Sequence, residues 1–112
     1  MRRGSFEERD VDDCLQYVYH TYMAVTWDAL KAAANLRKHG IRFTEALAVP
    51  FDPVAVTIDE VEDDGETRLV MVGADIVGRV VVVVLVHRGQ DVRLISARRA
   101  TGQERRHYEE GI

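Results

Sequence analysis

The chain has a single cysteine, Cys14, and two prolines, Pro50 and Pro53, among its 112 residues. One cysteine excludes an internal disulfide framework and fits a reducing, cytoplasmic setting. Long apolar runs are also missing. The longest, residues 69–86, is interrupted by Asp75 and Arg79, and its unbroken part, 80–86, falls well short of the roughly 20 residues a membrane helix needs. No membrane association is expected. Arg2 and Arg3 are followed by acidic residues and not by an apolar core, so the start does not read as a secretory signal.

The usual signatures of cofactor chemistry are absent too. There is no glycine-rich phosphate loop, paired-cysteine zinc motif, HExxH or nucleophile elbow. His20, His39, His87 and His107 are scattered, and none has a second ligand at a metal-binding spacing. Neither a metal nor another cofactor is expected. The acidic run 59–66 (DEVEDDGE) lacks the alternating oxygen ligands of a calcium loop and reads as a solvated hairpin tip.

What is present suits one compact domain. Hydrophobic residues make up 46% and charged residues 30% of the chain, enough apolar surface for a core at a length that leaves room for only one. The net charge of −4 conceals a strong asymmetry. Beyond the acidic 59–66, residues 87–107 hold Arg88, Arg93, Arg98, Arg99, Arg105 and Arg106 against only Asp91 and Glu104. A local basic field can hold a polyanion whatever the overall sign.

Residues 1–22 differ in style from the rest, without alanine and with three of the four tyrosines. Leu15, Val18, Tyr19 and Tyr22 fall at helical spacing, so 12–22 reads either as an added amphipathic helix or as a misplaced translation start ahead of a domain at 23–112. Residues 24–27 form a short extended lead-in. Asp28 then caps an alanine-rich helix over 29–38 that Gly40 ends. Its polar side gathers Asp28, Lys31, Asn35, Lys38 and His39, and its apolar side Leu30, Ala33, Ala34 and Leu36. Thr44 is placed to cap a second helix, 45–49, ended by the prolines.

The pattern then turns to strands at 54–58, 67–72, 79–87 and 92–98, joined by short turns that imply consecutive antiparallel hairpins. The unbroken valines of 80–86 belong to a central strand covered on both faces. Thr101 and Glu104 match a capping box that starts a terminal helix reaching to about Glu110. The expected architecture is α+β: a four-stranded antiparallel sheet with two helices before it and one C-terminal helix.

Arginines, a lysine stripe, histidines and a tyrosine are residue types that cleave RNA without metal. That reaction needs a base for the 2′-hydroxyl, a proton for the leaving 5′-oxygen and cations around the phosphorane-like transition state. Arg98 is the leading cation, because its strand face carries Val92, Leu94 and Ser96 and meets a helix N-terminus at Thr101; the plainer alternative pairs it with Glu104. His39 is either an acid–base group or a helix-terminal histidine. Tyr108 either moves a proton or packs the last helix on the sheet.

Trp27-Asp28, Lys31, Asn35, Lys38-His39-Gly40-Ile41, Phe43 and Ala46 resemble the opening of the BrnT family of type II toxins. The likeness continues in order through Asp52-Pro53, Gly65-Glu66, Arg68, His87-Arg88, residues 93–98, Ala100-Thr101, Glu104-Arg105 and Tyr108. It covers residues 24 to about 108. The resemblance implies a RelE-like fold, a ribonuclease that arrests translation, and neutralisation by a BrnA-like, DNA-binding antitoxin through which the complex would reach operator DNA. Carried over, RNA contact falls to Lys31, Lys38, His39, Arg88 and Arg98, with Tyr108 beside them; catalysis is then expected of Arg98, His39, Arg88 and Tyr108, and substrate binding of Lys31, Lys38, Arg99 and Arg105. Two rivals stand beside it: a basic binding module that cuts nothing and pairs with a DNA-binding partner, and a structural subunit whose exposed face serves assembly.

Overall fold

A computed structural model describes the backbone over residues 14–20 and 23–111, and side chains over 25–111. The element order is β1 (Cys14–His20), β2 (Met23–Asp28), α1 (Ala29–His39), α2 (Phe43–Ala46), β3 (Val56–Asp63), β4 (Glu66–Ala74), β5 (Val80–Arg88), β6 (Asp91–Arg99) and α3 (Gly102–Glu110). A 3-10 turn, Val49–Phe51, carries Pro50 between α2 and β3.

The strands form one six-stranded sheet in the order β1-β2-β6-β5-β4-β3. Strands β3 to β6 are the four expected antiparallel neighbours. Two more are added, so the expected four-stranded, wholly antiparallel sheet is corrected to a mixed one, with strands on both sides of the first two helices in the chain. The lead-in becomes β2, which pairs with β6 in parallel at Ala24↔Asp91, Val25↔Val92 and Thr26↔Arg93. Its direction follows from the crossover, since the chain passes through both helices and three strands before β6.

Cys14–His20 is a strand antiparallel to β2, in place of the helix read from the spacing of Leu15, Val18, Tyr19 and Tyr22. The same stretch alternates at period two and is rich in residues that favour strands. Pairing with β2 settles the ambiguity. Residues 1–13, 21 and 22 lie outside the described residues.

The crossover helices cover one sheet face. Trp27 and Phe43 meet edge to face with centroids 6.0 Å apart, and Ile41, Val81, Val83, Leu85, Leu94 and Ala97 complete that core. A smaller cluster on the opposite face, Val72, Val80 and Val82 with Val70, Ala100 and Tyr108, lies under α3. The central valine strand is therefore covered on both faces along its first half. Strand β3, with the acidic run, is exposed along almost all its length, as a solvated hairpin requires. Asp64 and Gly65 form its tip with φ of 53° and 81°.

Helix α1 starts and stops as expected. The Asp28 carboxylate accepts from the Leu30 and Lys31 amides, and Gly40 closes the helix at φ 73°. Its orientation is different. Ala32, Asn35, Leu36 and His39 turn inward, while Leu30, Ala33 and Ala34 face solvent. The cause is Asn35, whose Nδ2 donates to the carbonyls of Ile41 (3.1 Å) and Ala97 (2.8 Å), while its Oδ1 accepts from the Ala97 amide (3.1 Å). That side chain continues the pairing of β6 beyond the end of β2. Three buried hydrogen bonds outweigh the modest gain from burying Leu30 instead.

Helix α2 begins at Phe43, earlier than the expected 45–49, with Arg42 and not Thr44 at its cap. Burial of Phe43 against Trp27 draws the turn forward. Among the described residues, no helix is long and apolar enough to cross a membrane.

Candidate nucleic-acid interface

The side chains of a strand alternate, so Val82, Val84, Val86 and Arg88 point to the face that α3 covers only at one end. Beyond α3 this face opens into a groove of about 630 Å³ lined by Thr26, Glu66, Val86, Arg88, Asp91, Val92, Arg93 and Ile95. Val86 lies between Arg68 of β4 and Arg93 of β6 in register. Two strand spacings put those arginine stems about 10 Å apart. Among the described residues neither has an ion-pair partner. Arg88 closes the end of the groove, its Nε donating to Glu66 Oε2 (3.3 Å) and its Nη2 forming an ion pair with the same oxygen at 3.1 Å.

Arg98 lies elsewhere. A bulge at Ile95 shifts the register from Leu85↔Leu94 to Val84↔Ser96, so Arg98 points to the opposite face from Val92 and Leu94. The expectation that all shared one face is corrected: the extra residue reverses the alternation. Arg98 is paired with Val82 in register, six residues along β5 from Arg88, or about 20 Å at strand rise. Its guanidinium makes two 2.8 Å bonds to the Glu104 carboxylate. Glu104 also accepts from the Thr101 amide in the capping box. The hydrogen bonds from Arg98, with help from Thr101, outweigh burial and hold Glu104 down at about 2.

The other expected residues divide between the two faces. Asn35 ties α1 to Ala97, a core-face residue of β6, and Lys38 and His39 follow it in the last turn of α1, Lys38 exposed and His39 half-buried. Arg99 pairs with Val81 on that same face. Lys31 is exposed nearer the start of α1. Arg105 makes only a long contact, 3.8 Å, with Glu109 on the surface of α3.

Tyr108 donates to Asp52 Oδ2 (2.8 Å), an oxygen that also accepts from the Ala74 amide (2.9 Å). The bond to Asp52, with burial, raises the Tyr108 hydroxyl above its ordinary value. Burial works to raise Asp52, but the bonds from Ala74, Val54 and Tyr108 together hold it lower. Tyr108 thus ties α3 to the start of β4's turn and is not in the groove.

Of the eight expected residues, only Arg88 lines the groove. Arg68 and Arg93 are the cations that sequence reading passed over as site residues. Their signal was cross-strand register with Val86, which cannot be read until the strands are aligned. Among the described residues, no three His, Cys, Asp or Glu side chains gather as metal ligands.

A mixed sheet with one face under crossover helices and the other opening into an arginine-flanked groove defines a small α+β domain. Residues 27–104 match the family model described as "Ribonuclease toxin, BrnT, of type II toxin-antitoxin system", and the chain belongs to that family. A type II toxin implies a cognate antitoxin as partner. No curated protein matches the chain. The matched stretch takes in every groove residue but Thr26, along with the Arg98–Glu104 pair, and stops short of Arg105 and Tyr108.

Proposed function

We propose that the protein is an endoribonuclease that cuts RNA without a metal ion, arrests translation in the cytoplasm, and is held inactive by a BrnA-type, DNA-binding antitoxin that gives the complex its hold on operator DNA. The observation that carries this reading is the groove lined by Glu66, Arg88 and Arg93, with Arg68 beside it across Val86 in register and neither Arg68 nor Arg93 ion-paired among the described residues. Free guanidinium groups suit paired contacts to phosphate oxygens. Val86 and Ile95 offer an apolar floor for a base or ribose.

In this mechanism the 2′-oxygen attacks phosphorus, the bond to the 5′-oxygen breaks, and a 2′,3′-cyclic phosphate forms. Glu66, the carboxylate that Arg88 positions, takes the 2′-hydroxyl proton. Water supplies a proton to the leaving 5′-oxygen. Arg93 and Arg68 stabilise charge building on the non-bridging oxygens. Arg98, already neutralised by Glu104, braces the corner between β6 and α3, and His39 and Tyr108 take no part in proton transfer.

The commitment of Arg98 to Glu104 also favours a second reading, a binding module that grips RNA and leaves it intact. End-labelled RNA incubated with antitoxin-free protein in EDTA tests both. Cleavage to 2′,3′-cyclic phosphate ends is the expected result. RNA that stays intact, with binding that weakens steeply as salt rises, would favour the module.

A further inference from the structure

Burial of the Asn35 side of α1 leaves a second face in solvent. Leu30, Ala33, Ala34 and Arg37 stand at i, i+3, i+4 and i+7 and are all exposed, with Leu30 77% exposed. That spacing forms one continuous stripe on a helix. Lys31 and Lys38 run along its flank. The helix carries no acidic residue, and among the described residues none of its three cations makes an ion pair. In a chain of net charge −4 this is a wholly cationic element.

The two alanines permit a second helix to approach to roughly 8 Å, the close end of helix packing. Leu30 is a large apolar side chain with nothing over it. α1 packs through Ala32 against the core on the face opposite the arginine groove, and no residue of the stripe lines that groove.

We infer that this face of α1 docks an amphipathic helix of the cognate antitoxin. Leu30 enters the apolar seam of that helix, and Lys31, Arg37 and Lys38 pair with carboxylates on its flank. The inference rests on the toxin reading for the identity of the partner. Spacing, exposure and uniform charge define the partner's chemistry: a helix, apolar along one seam, acidic beside it.

The test titrates the full-length chain calorimetrically with the purified protein encoded by the adjacent reading frame. Leu30→Glu should weaken binding about a hundredfold, as expected for a central apolar anchor, and should cleave RNA at the unaltered rate. The double variant Lys31→Glu/Lys38→Glu should lose about tenfold, with the loss shrinking as salt screens it. Val61→Glu, an exposed apolar position on β3, is the control and should bind normally.

Unchanged affinity of a folded Leu30→Glu variant would overturn the inference. So would a toxin dimer that this substitution splits while antitoxin affinity stays the same, since the face would then join two copies of the chain. Failure of the unsubstituted chain to bind the adjacent protein would instead strike the toxin reading itself, and the docking assignment with it.

Discussion

Glu104 holds two structures together, since it closes the capping box of α3 and takes both ends of the Arg98 guanidinium. Its folded pKa of about 2 lies below the ordinary 4.5, so its contribution is fully present above the ordinary value and is lost as pH falls through the folded one. Arg98 is 40% exposed, and with that solvent screening the pair contributes on the order of 1–2 kcal/mol at neutral pH. Glu104→Gln should lower stability by about that amount at pH 7, and the difference should close as denaturation is repeated between pH 4.5 and 2. A difference that does not change with pH would refute the assignment.

Asn35 makes a larger demand, because Asn35→Ala strands the Ala97 amide and two carbonyls in a buried place. Urea unfolding should show a loss of about 3 kcal/mol. At this scale the sequence was partly readable. The pairing of Arg98 with Glu104 was foreseen as its plainer role, since both residues flank one strand-to-helix corner. The burial of Asn35 was not, because an amide looks like surface until the free edge of β6 is in place to meet it.

Among the elements, those with local determinants were legible. The Asp28 cap, the Gly40 stop, the Asp64-Gly65 turn, the valine strand and the Thr101–Glu104 box are each fixed by neighbours in the chain. Two failures depended on distant pairing: β2 joins the main sheet only when β6 arrives, and the bulge at Ile95 appears only against β5.

The junction of β4 with the 3-10 turn shows how closely elements approach where no motif announces it. A methyl group on Gly73 would meet Val49 Cγ1 at 3.0 Å and Asp52 Oδ2 at 3.2 Å. Gly73→Ala should therefore cost about 1–3 kcal/mol by overpacking. Because Asp52 also holds Tyr108, α3 should loosen with it, which faster amide exchange in α3 would report. Unchanged stability and exchange would show that the junction yields freely.

The whole molecule is divided by its sheet. One face carries the larger core and the cationic α1; the other carries α3 and the arginine groove, bounded at the far edge by acidic β3. The sequence showed that basic and acidic stretches were separate, yet placed lysines, histidine and arginines in one site. The fold sets Lys31, Lys38 and His39 on one side and Arg68, Arg88 and Arg93 on the other, because α1 belongs to a crossover that packs on the core face.

The central claim is that the groove, and not the Arg98 corner, cuts RNA. The most direct measurement compares cleavage of end-labelled RNA in EDTA by the unsubstituted chain, Arg93→Ala and Arg98→Ala, each verified as folded. Arg93→Ala should lose about a hundredfold in rate, or roughly 3 kcal/mol of transition-state stabilisation, while Arg98→Ala keeps its rate once its lower stability is taken into account. Full activity in Arg93→Ala, or a hundredfold loss confined to Arg98→Ala, would contradict the account.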